Sequence, residues 1–144
     1  MIQTRQLGTT LEVEPQAPVM EFTRVFPAGV ITFGVERRDA AHVSIHVCGT
    51  EDGYEYLRFD VFADEPHYHY LHRRADGEIA NQVIDHDVVA NGDMLVWAVA
   101  CLRARLPEML SAAGGSNIAK QLEMPLVEFV IDVVAQAAED ARRG

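Results

Sequence analysis

The chain has 144 residues, 49% of them apolar, and a formal charge of −10 at neutral pH. That length suits one domain and is short for two. The apolar share excludes a disordered chain, and the charge works against nucleic acid, whose phosphates are held mainly by basic groups. Cys48 and Cys101 stand far apart, in neither a zinc-ligand nor a redox spacing, so no disulfide framework is expected.

Residues 1–18 are weakly patterned. Thr10 to Glu14 alternates enough for a short strand that Pro15 and Pro18 would end, and 1–18 is expected as a loose N-terminal arm. The start, Met1-Ile2-Gln3-Thr4-Arg5, has no apolar stretch of signal-peptide type. The longest apolar run, Met94 to Leu102, is about half the length that crosses a bilayer. A cytoplasmic protein without membrane contact is the expectation.

From Val19 the hydrophobic period is two. Val19–Phe26 reads as a strand closed by Pro27-Ala28-Gly29, and Val30–Arg37 follows with Ile31, Phe33 and Val35 on one face. His42–Cys48 turns Val43, Ile45 and Val47 inward and His42, Ser44, His46 and Cys48 outward. Tyr54–Phe62 turns Leu57, Phe59 and Val61 inward and Tyr56, Arg58 and Asp60 outward. Such alternation marks an antiparallel sheet with one face on the core. Asp64-Glu65-Pro66 interrupts before His67–Arg73, and Asp76-Gly77 signals a two-residue hairpin returning through Glu78–Asp85.

After Asn91-Gly92-Asp93 the period becomes helical. Leu95, Ala98, Val99, Leu102, Leu106, Met109 and Leu110 form one stripe, ended by Gly114-Gly115. Pro107 should kink or split this helix. Ser116 is placed to cap a short helix through Leu122. Pro125 suits the first turn of a last helix whose stripe is Leu126, Phe129, Val130, Val133, Val134 and Ala137. The expected fold is α+β in a single domain: an antiparallel meander of about six strands over 19–86, then two to three helices over 93–142 on one sheet face.

Chemistry concentrates in the middle of the chain. Residues 51–100 hold 11 acidic and 3 basic side chains, and all six histidines fall between His42 and His86. In Glu65-Pro66-His67-Tyr68-His69-Tyr70-Leu71-His72, strand geometry points His67 and His69 one way and Tyr68, Tyr70 and His72 the other. A two-residue turn at Asp76-Gly77 would set His67 opposite His86 and His69 opposite Ile84. Three imidazoles would then share a face, with Glu65 and Asp87 at its open end. Three protein ligands and an open position are how a catalytic zinc is held, and mixed His and carboxylate donors suit zinc or iron. A one-residue slip would carry His86 to the other face. The plain alternative is a partly wet sheet face on which histidines bond carboxylates.

On the preceding hairpin, a turn around Glu51 would pair His42 with Asp60, Ser44 with Arg58 and His46 with Tyr56. A His42–Asp60 pair can orient a general base, although sheet faces carry such pairs as packing devices too. Cupin, histidine-triad, HExxH, GxSxG and phosphate-loop spacings are all missing.

The string Arg58-Phe59-Asp60 with Phe62, then Glu65-Pro66-His67-Tyr68-His69-Tyr70 and Gly92-Asp93-Met94-Leu95, resembles a set of uncharacterised bacterial proteins. The resemblance implies no activity, cofactor or substrate. Two functional expectations follow from the residues. The first is a non-enzymatic binding or interaction domain needing no cofactor and forming a homodimer, because Tyr54, Tyr56 and Phe62 leave apolar groups on the sheet's second face. The second is a metal-dependent or His–acid enzyme using His67, His69 and His86 with Asp60 or Glu65. A pH sensor built on the clustered histidines is a third.

Overall fold

The computed structural model describes residues 8–12, 23–74 and 77–143. Within them the period-two segments form strands β2 (Thr23–Ala28), β3 (Ile31–Asp39), β4 (His42–Gly49), β5 (Glu55–Asp60), β6 (His67–Arg73) and β7 (Ile79–Asp85). These six pair antiparallel in chain order, which is the expected meander. A seventh strand, β1 (Gly8–Glu12), pairs antiparallel with β7, so this stretch belongs to the sheet and not to a loose arm. The expected strand residues beyond Glu12 and before Thr23 lie outside the described residues. Pro27 lies inside β2, where it is tolerated because β2 is an edge strand among the described residues and needs no donor on its outer side.

Four helices follow: α1 (Val88–Asn91), α2 (Met94–Ala112), α3 (Ser116–Lys120) and α4 (Met124–Arg143). The one-turn α1 has no apolar period to announce it; Asp87 caps it by accepting from the Ala90 N–H. Asp93 caps α2 in the same way through the Val96 N–H. Helix α2 runs through Pro107 as one element. Gly115, not Ser116, occupies the cap position of α3. Gly114 ends α2 at φ +91°, where an added Cβ would stand 3.0 Å from the Arg73 Cβ. None of the helices is long and apolar enough to cross a membrane, among the described residues.

The core lies between one sheet face and α2 with α4. Ile31, Phe33, Val35, Val43, Ile45, Val47, Leu57 and Phe59 meet Leu102, Leu106, Leu110, Val127, Ile131 and Val134, all buried. Helix α2 buries the expected stripe except Val99, which is half-buried. Helix α4 is turned relative to expectation. It buries Val127, Val130, Ile131, Val134, Ala137 and Ala138, and leaves Leu126, Phe129 and Val133 exposed. Its apolar surface is wider than the face the sheet covers.

An irregularity between β4 and β5 redirects side chains. Val47 faces Leu57 but Cys48 faces Glu55, so Tyr56 is an extra residue on β5. A bulge of this kind re-aims its neighbours. Tyr56 enters the core beside Gly115 and Glu55 turns to the second face, which corrects the outward placement of Tyr56. Tyr54 lies under the Arg73 guanidinium, 3.9 Å from its ring centre. Phe62 packs edge-on against His42 and His67. The three rings therefore form no shared apolar surface.

Candidate metal centre

The second sheet face is buried and polar. Glu36, Ser44, His46, Glu55, Asp60 and His69 are all under 8% exposed. Burying ionisable groups is costly unless each is hydrogen-bonded or paired, and here they form two networks.

The first is built on Asp60. Its Oδ2 lies 2.8 Å from His67 Nε2 and 2.8 Å from His69 Nε2, while Ser44 Oγ donates to Oδ1 at 2.5 Å. Register explains the meeting: Asp60 is the direct cross-strand partner of both Ser44 and His67. The far side of each ring is also engaged. His67 Nδ1 donates to the Glu65 carbonyl at 2.8 Å, and His69 Nδ1 donates to Asn81 Oδ1 at 2.9 Å. Glu65 is at φ +52°, the left-handed region that costs a non-glycine residue about 1 kcal/mol. A neutral imidazole has one N–H. With that hydrogen spent on Nδ1, each Nε2 points a lone pair at a carboxylate oxygen. Either a proton on each ring or one cation among the three donor atoms resolves the conflict. Burial alone would raise the Asp60 carboxyl, but with both rings protonated hydrogen bonds from His67, His69 and Ser44 outweigh it and hold the group well below the usual carboxylate range.

The three donor atoms lie within 4.8 Å of one another. Around a tetrahedral ion with donors about 2.05 Å away, donor pairs stand about 3.3 Å apart. The two Asp60–histidine separations of 2.8 Å would open by roughly half an ångström to admit one. Two imidazoles and one carboxylate with open positions suit zinc or non-haem iron. The partners behind them (Glu65 O, Asn81, Ser44) are of the kind that orients metal ligands.

The second network runs Arg38, Glu36, His46, Glu55, Arg58. His46 Nε2 meets Glu36 Oε1 at 2.8 Å and its Nδ1 bonds Glu55. Arg58 grips Glu55 through Nη2 at 2.7 Å and Nε at 3.1 Å, and Arg38 reaches Glu36 at 3.1 Å. Burial works against charge on His46, yet its two carboxylates prevail and raise its pKa. Burial likewise opposes ionisation of Glu55, but hydrogen bonds from His46 and Arg58 bring it down to about 2. Both ring nitrogens of His46 thus face carboxylate oxygens, an arrangement that favours its protonated form.

His67 and His69 share a face, and His72 joins the other one, bonding the Ala112 carbonyl and Gln82. His86 does not join them. The observed register pairs His67 with Asp85 and His69 with Val83, one residue away from the expected pairing. His86 falls on the helix side against Trp97, with Nε2 donating to the Gly92 carbonyl. Asp76 itself lies outside the described residues. Glu65 serves through its carbonyl oxygen, and its exposed side chain is no member of the cluster. His42 bonds Asp39 at 2.8 Å, not Asp60. The β4–β5 register runs two residues from the expected one, which keeps each residue's face and changes its partner. Sequence reasoning missed Glu36, Glu55 and Asn81. The first two had only a strand-face signal, and the bulge erased that for Glu55.

The fold and its buried His/His/Asp cluster define an α+β domain: an antiparallel meander with helices on one face and a candidate metal site on the other. The chain belongs to DUF7700, a domain of unknown function, whose family model matches residues 25–138. This agrees with the resemblance to uncharacterised proteins. No curated protein and no solved structure matches the chain.

Proposed function

We propose that this domain holds one divalent transition-metal ion, zinc or iron, on Asp60, His67 and His69, and works as a metal-dependent enzyme at the open side of that ion. One observation carries the reading. Both imidazoles spend their Nδ1 hydrogen on a fixed acceptor and converge their Nε2 atoms on one carboxylate oxygen. Metal-ligating histidines are held in this way, with the second ring nitrogen on a fixed acceptor. The ion would supply a Lewis acid or an activated water. Cys48 and Cys101, which form no disulfide among the described residues, suit a reducing, cytoplasmic setting.

Elemental analysis of untagged protein tests this. The expected result is near-stoichiometric zinc or iron that is lost in Asp60→Asn and His69→Ala. Protein that binds no added zinc or iron, and whose melting temperature ignores chelator, would overturn it.

Self-association is a second reading, favoured by the exposed row Leu126, Phe129 and Val133 on α4. It replaces the sheet-face dimer, whose Tyr56 is in the core. Light scattering should then give twice the 16.0 kDa of one chain, reverting to one in Phe129→Glu; a monomer at working concentration refutes it.

A further inference from the structure

The next inference rests on the metal reading and concerns what binds there. On β5 and β6, Asp60 faces His67 and Arg58 faces His69. Residues directly opposite have Cβ atoms about 5 Å apart, and next-but-one residues share a face. These four side chains therefore stand at the corners of one quadrilateral on the polar sheet face. Three corners supply metal donors, and the fourth is a guanidinium, which cannot ligate.

Arg58 is built to stay there. Its Nε and Nη2 are spent on Glu55, which His46 holds from the other side, and Glu36 holds His46 in turn. Among the described residues Arg58 has no ion pair except with Glu55, and its Nη1 makes no hydrogen bond. The side-on edge of the fork is used while the end-on edge remains available for a planar acceptor.

Charge selects the acceptor. Within the second network Glu36 pairs with Arg38 and His46, and Glu55 pairs with His46 and Arg58. Within Asp60, His67 and His69 alone, a divalent ion on one carboxylate leaves a single positive charge among side chains 6 to 12% exposed. A buried net charge is unfavourable, and one added negative charge cancels it. Asp85, opposite His67, lies on the far side of the quadrilateral from Arg58.

We propose that the loaded centre binds a small molecule through a carboxylate, one oxygen on the metal and the other on Arg58, which makes Arg58 a specificity-determining residue.

The test uses the full chain loaded with cobalt(II), whose visible spectrum reports its ligands, titrated with acetate and separately with inorganic phosphate. Acetate should perturb the spectrum and bind more tightly than phosphate. Arg58→Gln should weaken acetate about tenfold, the loss of one charge-assisted contact, and leave cobalt affinity within about threefold. Arg58→Lys, which keeps the charge and Glu55's partner, should recover part of the loss and covers the case in which Arg58→Gln fails to fold. Equal acetate binding in wild type and both variants, tighter phosphate than acetate, or no anion response from bound cobalt each overturns the proposal. A protein that takes up no cobalt overturns the metal reading and this inference with it.

Discussion

Replacing Glu55 by glutamine removes the charge at the centre of the second network and keeps the side chain's shape. In the folded protein the Glu55 carboxyl is depressed from 4.5 to about 2. At about 1.4 kcal/mol for each decade, that difference contributes about 3 kcal/mol of stability. Because the folded value is the lower one, the contribution is complete above pH 4.5 and is lost as pH falls towards about 2. Glu55→Gln should therefore cost about 3 kcal/mol at pH 6 and roughly half that at pH 3. That is a large part of a typical total of about 5–15 kcal/mol. His46 acts with the opposite sign. Its folded pKa is raised, so its contribution is complete below its unfolded value of 6.5 and is lost as pH climbs through the folded one. The wild type should be most stable between 4.5 and 6.5, and the alkaline decline should start earlier in Glu55→Gln, where His46 keeps one carboxylate. Urea unfolding followed by the fluorescence of Trp97 across pH 3 to 8 measures all of this. A gap between variant and wild type that stays the same from pH 3 to pH 6 would refute the reasoning.

Asn81→Ala removes the acceptor behind His69 and should weaken zinc binding about 10- to 100-fold, measured by chelator competition; unchanged affinity would remove Asn81 from the site. His86→Ala should leave metal content untouched, since His86 lies across the sheet against Trp97; loss of metal in this variant would contradict the register. Gly114→Ala introduces a Cβ at φ +91° and 3.0 Å from the Arg73 Cβ, and should cost about 1–3 kcal/mol in thermal or urea unfolding. A neutral result would mean that the α2 terminus relaxes without resistance.

The fold was legible because one face of β3, β4 and β5 is greasy. Ile31, Phe33 and Val35, then Val43, Ile45 and Val47, then Leu57 and Phe59, alternate strictly, and all are buried as that alternation requires. The same logic failed where apolar residues outnumber contacts. On α4, Leu126, Phe129 and Val133 are as apolar as the residues that face the sheet, so composition alone cannot say which row is covered. Tyr56 was misplaced for another reason. A bulge changes parity without leaving any residue-type signature in Glu55-Tyr56-Leu57.

The site depended on register more than on residue type. A two-residue slip between β4 and β5 kept Ser44, His46 and Asp60 on the expected face, because strand period is two, and only exchanged partners: Asp60 gained Ser44 and lost His42. A one-residue slip between β6 and β7 did the reverse. It preserved the hairpin and moved His86 to the opposite face, replacing it with Asp85 beside His67. Of the four candidates inferred from sequence, His67 and His69 fall in the observed cluster while His86 and Glu65 do not, for a physical reason. His67 and His69 lie on one strand, where their relation is set by local geometry alone. The third donor had to come across a pairing, and Asp60 is the residue that the register delivers. Any His-x-His pair on a strand has this property: two ligands are readable from spacing, and the third is a property of the sheet.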